Sequence, residues 1–237
     1  MTAYKYLIFD VDDTLLDFGC AFQTAQKDIA NKLGMECSKE YIELDNECGW
    51  RAWRESGLDD TDSKDVQENY HTYYYEYLRK HYLYLIQELG IAFNENELVE
   101  CYIESISSSK ILKEQSTLEV FIKLAERYKL ALATNGIEKI QKERVSAFLP
   151  YVHKMYISET IGYIKPSKKF FDYLIQDLGC NPCECLMIGD SVTNDILGAK
   201  EAGMDVCFYN IKKKDTPKDI VIDYEINNIQ SLVEFLL

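Results

Sequence analysis

Short apolar runs alternate with amphipathic stretches along most of the chain, and these runs predict the strands of one sheet. Residues 4–9 form the first such run, which stops at Asp10. A short run that is apolar at nearly every position is typical of a strand buried on both faces of a parallel sheet. Four similar runs follow in the second half of the chain, at 130–133, 155–158, 186–188 and 206–209.

The stretches between these runs have the periodicity of helices. Pro166 suits the first turn of one of them, where its missing N–H would have no partner in any case. A last strand and helix are expected within 220–237. Strands that alternate with helices in this way predict an α/β fold, Rossmann-like, with a parallel sheet covered on both faces. The predicted helices span 117–128, 137–148, 166–178 and 193–202.

A long helical region separates the first strand from the others. A second long helix is expected from Asp62 or Ser63 to Leu89, with Gly90 as its stop. The predicted architecture is therefore a core domain of residues 1–17 and 108–237, interrupted by an inserted helical domain of residues 18–107. The first helix of the insertion ends at Gly34, and its apolar positions are Ala21, Ala25, Ile29 and Leu33.

Tyrosine is concentrated in the second long helix of the insertion. Because tyrosine has an apolar ring and a polar hydroxyl that can remain in contact with water, a half-buried packing face is the favoured interpretation. The alternative, a ring that stacks on the base of a substrate, is open for one or two of these side chains. The tyrosines are Tyr70, Tyr73, Tyr74, Tyr75, Tyr77, Tyr82 and Tyr84.

The acidic balance of the chain excludes some classes of partner. Forty Asp and Glu residues against 26 Lys and Arg residues give a formal net charge of −14. Polymeric nucleic acid and anionic membrane surfaces bind proteins through clustered Lys and Arg, so neither is expected as a partner. Small phosphorylated molecules stay possible, because a bound metal ion inverts the local charge.

The chain has the features of a cytoplasmic protein. No stretch is apolar and long enough to cross a bilayer, and Lys5 and Asp10 come too early for the core of a signal peptide. The eight cysteines are mostly scattered, as in proteins of a reducing compartment. We therefore expect a soluble protein of the cytoplasm.

Three cysteines are clustered, at Cys180, Cys183 and Cys185, which raises the question of a metal site. A structural zinc site needs a further Cys or His pair, and none follows at zinc-finger spacing. A loop that carries thiols is therefore favoured over zinc.

Polar residues follow three of the predicted strands at the point where each strand ends. Asp10 and Asp12 follow the first strand, Thr134 and Asn135 a second, and Asp190 a third. A single such Asp would be interpreted as a helix cap. In an open α/β sheet, however, ligands bind at the carboxyl ends of the strands, where these carboxylates would repel one another without a cation. Hard oxygen ligands without a nearby His favour Mg²⁺ over zinc.

These residues make up an ordered set of motifs that resembles the haloacid dehalogenase (HAD) superfamily. Residues 10–14 match its Asp-x-Asp-x-Thr signature, Thr134 its second motif, Lys165 its third, and residues 189–195 its acidic fourth. The resemblance implies a HAD core. The position of the insertion resembles the subclass with an α-helical C1 cap domain, which would close over the site and contribute specificity contacts.

Within that subclass, the chain is most similar to the pyrimidine 5′-nucleotidases that clear noncanonical nucleotides. Trp50 and Trp53 of the insertion also resemble that group; base stacking is one role for them, and packing of the cap against the core is the favoured one. The other similar stretches are residues 134–136 with Gln141 and Arg144 downstream, 158–166, 195–200 and 202–203.

The resemblance implies a role for each core motif. Asp10 would be the nucleophile that forms an aspartyl-phosphate, and Asp12 would protonate the leaving oxygen and then deprotonate water. The Thr134 hydroxyl and the Asn135 amide would donate to the phosphoryl oxygens. Lys165 would supply a fixed positive charge beside the clustered carboxylates.

The same resemblance implies a Mg²⁺ cofactor. Its ligands would be the Asp10 carboxylate, the Asp12 backbone carbonyl and Asp190, with Asp195 bound directly or through water. Asp195 could instead orient Lys165. For Lys165 the alternative is a surface lysine at the start of a helix, which the helix dipole disfavours.

Three residues of the first loop have no chemical role by this comparison. Asp13 and Asp17 are expected to be solvated, and Thr14 to brace the loop. Dehalogenation is disfavoured because a halide leaving group needs no general acid, whereas Asp12 is present.

The predicted activity is thus Mg²⁺-dependent hydrolysis of a phosphomonoester, with a pyrimidine nucleoside monophosphate as substrate, by a monomer or homodimer. A sugar-phosphate phosphatase or phosphomutase on the same core is the alternative enzyme. A non-catalytic protein that binds a phosphorylated ligand is the alternative from another class.

Overall fold

The computed structural model describes residues 4–60, 63–213 and 220–237. The chain divides into two compact units. The first, here called the α/β unit, comprises residues 1–18 and 110–237, and the second, the helical unit, comprises residues 19–109. No helix among the described residues is both long enough and apolar enough to span a membrane.

The α/β unit contains a six-stranded parallel sheet in the order β3-β2-β1-β4-β5-β6. The α/β fold and the parallel sheet predicted from the alternating pattern are therefore confirmed. Each predicted strand is present with slightly different ends. The strands are β1 (Tyr6–Phe9), β2 (Lys129–Thr134), β3 (Val152–Ile157), β4 (Cys185–Gly189), β5 (Asp205–Tyr209) and β6 (Tyr224–Ile226).

The sheet is apolar on both faces, which explains the uninterrupted apolar runs in the sequence. Leu7 and Phe9 of β1 belong to one buried cluster, and Tyr6 and Ile8 belong to the other, because successive side chains of a strand point to opposite faces. Helices must therefore cover both faces of this sheet.

The helical unit begins after the first strand, and its described residues form four long helices. Ser38 and Ser63 accept hydrogen bonds from backbone N–H groups in the first turns of the second and third helices, and Gly90 ends the third in a left-handed conformation. The other predicted cap, Asp62, lies outside the described residues. The helices are α1 (Phe18–Lys32), α2 (Lys39–Glu55), α3 (Lys64–Leu89) and α4 (Glu95–Ser108).

The tyrosines of α3 form the packing face that the sequence predicted. Tyr82 is buried, Tyr75 is exposed and the other five are half-buried. Tyr77 packs edge-on against Trp53 of α2 at 5.2 Å between ring centroids. Trp50, in contrast, is 65% exposed.

The helices of the α/β unit cover its sheet. Pro166 does not lie in the first turn of a helix, because α8 begins only at Lys168 and Pro166 belongs to the preceding loop. The predicted helix over 193–202 is a π-helical turn, Val192–Leu197, followed by a short α-helix. The helices are α5 (Thr117–Ala125), α6 (Glu138–Arg144), α7 (Ser158–Ile161), α8 (Lys168–Leu178), α9 (Gly198–Glu201) and α10 (Ser231–Leu236).

A buried polar group ties three helices of the helical unit together. Asp45 of α2 accepts a hydrogen bond from Gln26 Nε2 at 2.8 Å, and its Oδ1 lies 2.9 Å from His81 Nε2. All three side chains are buried. Such a group stabilises a fold only while every member keeps its partners.

We expect Asp45→Ala to lower the free energy of unfolding by about 2 kcal/mol, because Gln26 Nε2 then keeps only Asn46 Oδ1, at 3.2 Å, and His81 Nε2 keeps only the backbone carbonyl of residue 45, at 2.9 Å. Urea unfolding followed by circular dichroism measures this change. Glu47→Ala, at an exposed position of the same helix, is the control and should change the free energy by less than about 0.5 kcal/mol. Equal stabilities of the two variants would contradict the prediction.

Candidate active site

The carboxyl ends of β1, β2 and β4 lie side by side in the middle of the sheet. Phe9 of β1 pairs with Leu132 of β2 on one side and with Ile188 of β4 on the other. The residues that follow these strands therefore emerge at one edge of the sheet. The strand order reverses between β1 and β4, and such a reversal opens the crevice in which α/β proteins bind ligands.

A buried ion-pair group occupies this edge. Lys165 Nζ lies 2.6 Å from Asp10 Oδ1 and 2.6 Å from Asp195 Oδ1, and it donates to the Ala133 carbonyl at 2.8 Å. The Lys165 side chain is 2% exposed. Lys165 is thus not a surface lysine, and it does not start a helix, since α8 begins three residues later.

The pKa values of the paired groups are shifted by burial and by charge. Burial raises the pKa of Asp10 well above its usual range, an effect that the positive charge of Lys165 opposes. Burial would lower the pKa of Lys165, but the charges of Asp10 and Asp195 outweigh it and raise that pKa. Lys165 is therefore held in its charged form between the carboxylates.

Asn135 positions Lys165 through the backbone. Its side-chain Oδ1 accepts a hydrogen bond from the Lys165 N–H at 2.8 Å, and its Nδ2 donates to the Lys165 carbonyl at 2.9 Å. Both ends of the Asn135 side chain are therefore used within the protein. A donor role of Asn135 toward a ligand would fall to its backbone N–H.

Asp195 is fixed in the turn after β4. Its Oδ2 accepts from the Ser191 N–H at 3.0 Å, while its Oδ1 contacts Lys165. Gly189 permits this approach, because a Cβ at that position would overlap the Asp195 carboxylate. The contacts favour the alternative in which Asp195 orients Lys165.

Three carboxylates at this edge are close enough to share a cation. Asp10, Asp190 and Asp195 each offer an oxygen, and these oxygens lie within 4.8 Å of one another. Carboxylate oxygens grouped in this way suit a hard divalent cation such as Mg²⁺. The negative charges of Asp195 and Asp190 also oppose ionisation of Asp10, which a bound cation would relieve.

Asp12 lies outside the Lys165 ion-pair group and is held by α6. Gln141 Nε2 donates to Asp12 Oδ2 at 2.8 Å, and Arg144 Nη1 donates to Asp12 Oδ1. Both α6 side chains are buried, whereas the Asp12 side chain is 26% exposed. Gln141 and Arg144 resemble residues of the nucleotidase branch, but the resemblance implied no role for them. Their spacing of three residues, which places them on one helix face after β2, was the available signal.

The two threonines of the motifs are buried. The Thr14 hydroxyl has no hydrogen-bond partner among the described residues. The Thr134 hydroxyl lies 3.4 Å from the Asn135 carbonyl, at the end of β2.

Asp13 and Asp17 are partly exposed, but both are paired with lysines, which the expectation of simple solvation did not include. Lys113 Nζ lies 2.9 Å from Asp13 and 3.1 Å from Asp17, and Lys212 lies 3.1 Å from Asp13. The lysines are far from this loop in sequence, which is why the pattern around residue 10 did not reveal them. The hydrogen bonds to Lys113 and Lys212 overcome the effect of burial and lower the pKa of Asp13.

Two cysteines of the cluster are in contact. Cys180 Sγ and Cys185 Sγ lie 3.3 Å apart, and Cys183 is exposed. Across residues 4–60, 63–213 and 220–237, no set of three metal-ligating side chains that includes a cysteine was found.

The sequence matches one known family and is similar to several known proteins. The haloacid dehalogenase-like hydrolase family matches residues 4–203. The HAD-hydrolase YfnB of Bacillus subtilis is 28% identical over 100% of this chain and 97% of its own. A crystal structure of YfnB bound to magnesium has a TM-score of 0.82 and 26% identity and covers 99% of each chain.

Two relatives with stated substrates are similar over nearly their full lengths. The pyrimidine 5′-nucleotidase PynA of Streptococcus pneumoniae is 29% identical over 98% of this chain and 95% of its own. The glyceraldehyde 3-phosphate phosphatase of Methanopyrus kandleri is 30% identical over 97% of this chain and 96% of its own. The relatives thus include enzymes for a nucleotide and for a sugar phosphate.

Proposed function

The chain belongs to the haloacid dehalogenase-like hydrolase family, and from this premise we propose that it is a Mg²⁺-dependent phosphomonoester hydrolase acting on pyrimidine nucleoside monophosphates. The observation that carries the proposal is the group at the end of β1. There Asp10 Oδ1 lies 2.6 Å from Nζ of the buried Lys165. One carboxylate oxygen each of Asp10, Asp190 and Asp195 also lie within 4.8 Å of one another. A nucleophile, a fixed cation and a place for a metal ion are the parts that phosphoryl transfer requires.

Asp10 is the proposed nucleophile. One of its oxygens attacks phosphorus, the bond from phosphorus to the substrate's ester oxygen breaks, and an aspartyl-phosphate forms. Water then attacks the same phosphorus and the bond to Asp10 breaks, which releases inorganic phosphate. The carboxylate is regenerated without any change of oxidation state.

Asp12 is the proposed acid and base. Its proton passes to the leaving oxygen in the first step, and it takes a proton from the attacking water in the second. A halide leaves without a proton, so the presence of Asp12 beside Asp10 supports a phosphatase over a dehalogenase.

Lys165, Thr134 and Asn135 are proposed to stabilise the phosphoryl group. Lys165 supplies a charge that needs no reorganisation, because its Nζ is already fixed by three oxygen atoms. The Thr134 hydroxyl and the Asn135 backbone N–H are the proposed donors at the end of β2.

Mg²⁺ is the proposed cofactor. Asp10, Asp190 and the Asp12 backbone carbonyl would hold it, with Asp195 near it or bound through water. When bound, it would supply positive charge that draws the phosphate into an acidic site and keeps Asp10 ionised. The helical unit is proposed to be the C1-type cap of this family.

A nucleotide is the preferred candidate substrate for two reasons. The chain is similar to PynA, and residues 134–136, Gln141 and Arg144 resemble the nucleotidase branch. A sugar phosphate is the second candidate, supported by the similarity to glyceraldehyde 3-phosphate phosphatase. The third candidate, a non-catalytic protein that binds a phosphorylated ligand, would have no need for a buried nucleophile paired with a lysine.

We expect the purified protein to release inorganic phosphate from phosphomonoesters with Mg²⁺ and to lose this activity with EDTA, because the uncompensated carboxylates would repel the substrate. The panel comprises UMP, dUMP, dTMP, purine monophosphates, hexose phosphates and glyceraldehyde 3-phosphate. Addition of Mg²⁺ after EDTA should restore the rate, and a thermal melt with EDTA verifies that the protein stays folded.

Each outcome of this screen separates the candidates. Faster turnover of the pyrimidine nucleotides supports the narrower proposal, whereas preference for a sugar phosphate over every nucleotide would overturn it. Absence of turnover with any ester by folded protein would overturn the enzyme proposal and favour the binding protein.

A further inference from the structure

The Asp12 carboxylate is held at both oxygens by one helix. Gln141 Nε2 lies 2.8 Å from Oδ2, and the Arg144 guanidinium donates to Oδ1. Gln141 is 3% exposed and Arg144 is 1% exposed. We propose that Arg144 and Gln141 are positioning residues that orient Asp12 for proton transfer, an inference that rests on the proposed function.

Two donors on two oxygens determine both the direction and the plane of a carboxylate. Asp12 is partly exposed and follows the strand in a loop, so its side chain would otherwise sample several rotamers. A general acid must keep its proton within hydrogen-bond reach of the leaving oxygen, and a misplacement of about 1 Å costs about a hundredfold in rate. The charge-assisted bond from Arg144 is the stronger of the two restraints.

The surroundings of both side chains fit this role. Burial of a guanidinium is unfavourable unless a carboxylate compensates it, and Asp12 is that carboxylate. The Arg144 guanidinium also lies over the Phe18 ring, 5.7 Å from its centroid. The Phe18 ring thus gives the guanidinium a contact in addition to Asp12.

The loop after β2 is shaped around Gln141. A Cβ at Gly136 would lie 2.7 Å from Gln141 Nε2, so a side chain at that position would displace the amide from Asp12. Gln141 Nε2 also lies 3.4 Å from the Asn135 carbonyl. The loop that begins at Asn135 thus fixes the residue that holds Asp12.

These contacts leave proton transfer possible. A carboxylate oxygen has two lone pairs, so each Asp12 oxygen can accept one bond from α6 and still carry the transferred proton. In the first step that proton goes to the ester oxygen as its bond to phosphorus breaks. In the second step the proton of the attacking water returns to Asp12.

The test compares an ester that needs the proton with one that does not. The first is UMP, or whichever alkyl phosphate of the panel the wild type cleaves fastest, and the second is p-nitrophenyl phosphate, whose phenolate leaves unprotonated. For Arg144→Met we expect kcat/KM, which reports only the step that releases the alcohol, to fall about a hundredfold for the alkyl ester and no more than about threefold for p-nitrophenyl phosphate. KM for the alkyl ester should stay within about twofold.

Three further variants control this experiment. Gln141→Met removes one donor without burying or removing charge and should show the same selective loss at a smaller size. Lys142→Met, on the exposed face of the same helix, should leave both rates unchanged. In the Asp12→Asn background, Arg144→Met should cause no further loss, because residues that act through one group are not additive.

Every outcome decides a proposal. An equal loss for both esters in folded Arg144→Met and Gln141→Met, or full additivity with Asp12→Asn, would overturn the positioning role and leave the phosphatase proposal standing. If the wild type cleaves neither ester, the proposed function fails and the positioning role fails with it. A selective loss that disappears without Asp12 would support both.

Discussion

Asp10→Asn is expected to abolish hydrolysis, with kcat reduced on the order of 10⁴-fold or more. An amide cannot form the aspartyl-phosphate, so the two-step route is closed rather than slowed. Asp10 is buried, and its Oδ1 accepts from Lys165 at 2.6 Å, a bond that the isosteric Asn oxygen can still accept. The folded structure should therefore survive the substitution.

Rapid acid quench with a ³²P-labelled substrate tests this prediction, because it detects the covalent bond between phosphorus and the protein. The wild type should yield labelled protein with the label on Asp10, and Asp10→Asn should yield none. Asp13→Asn is the matched control: it changes a carboxylate of the same loop that is directed to Lys113 and Lys212 instead. Its positive φ of 62° is tolerated by Asn, so it should retain activity. Labelling of Asp10→Asn at the wild-type level would exclude Asp10 as the nucleophile.

Lys165→Met is expected to reduce both activity and stability. Without the ammonium, Asp10 and Asp195 face each other inside the protein with no fixed cation between them. Removing one partner from a buried ion pair typically lowers the free energy of unfolding by about 3–5 kcal/mol. Loss of a preorganised charge beside the phosphoryl group should reduce kcat about 10³-fold.

The dependence on Mg²⁺ distinguishes an electrostatic effect from a packing effect. Because the variant has more uncompensated negative charge, Mg²⁺ should raise its melting temperature by more than it raises that of the wild type. Lys168→Met removes a lysine that forms an exposed ion pair with Asp172, and it should change the free energy of unfolding by less than about 1 kcal/mol. A stability of Lys165→Met equal to that of the wild type would contradict the role assigned to this lysine.

Sequence patterns predicted the fold best for elements that are buried along their whole length. The central strands β1 and β4 are buried at every position, so both are uninterrupted apolar runs and were found from that pattern alone. The helix Lys39–Glu55 was not predicted. Its buried residues have helical spacing, but two of them, Asp45 and Gly49, are not apolar side chains. The hydrophobic periodicity is therefore too weak to indicate this helix.

The edge at which the site forms was also predictable. Carboxyl ends of parallel strands meet at one edge of a sheet, so Asp10, Thr134 and Asp190, each at or directly after the end of a strand, had to emerge near one another. Local sequence fixes only which residue follows a strand. That information was enough to nominate the residues of the candidate site.

What each of these side chains contacts was decided by the tertiary structure alone. Arg144 reaches Asp12 across 132 positions of the chain, and Asn135 bonds the backbone of Lys165 thirty positions away. Lys165 is buried beside carboxylates from two different elements, although its sequence context suggested the start of a helix. The sequence by itself determined the sheet, the order of its motifs and the edge that carries them, because these follow from local pattern and from the geometry of parallel strands. The pairing of buried charges depends on distances between residues far apart in the chain, and only the folded structure sets those distances.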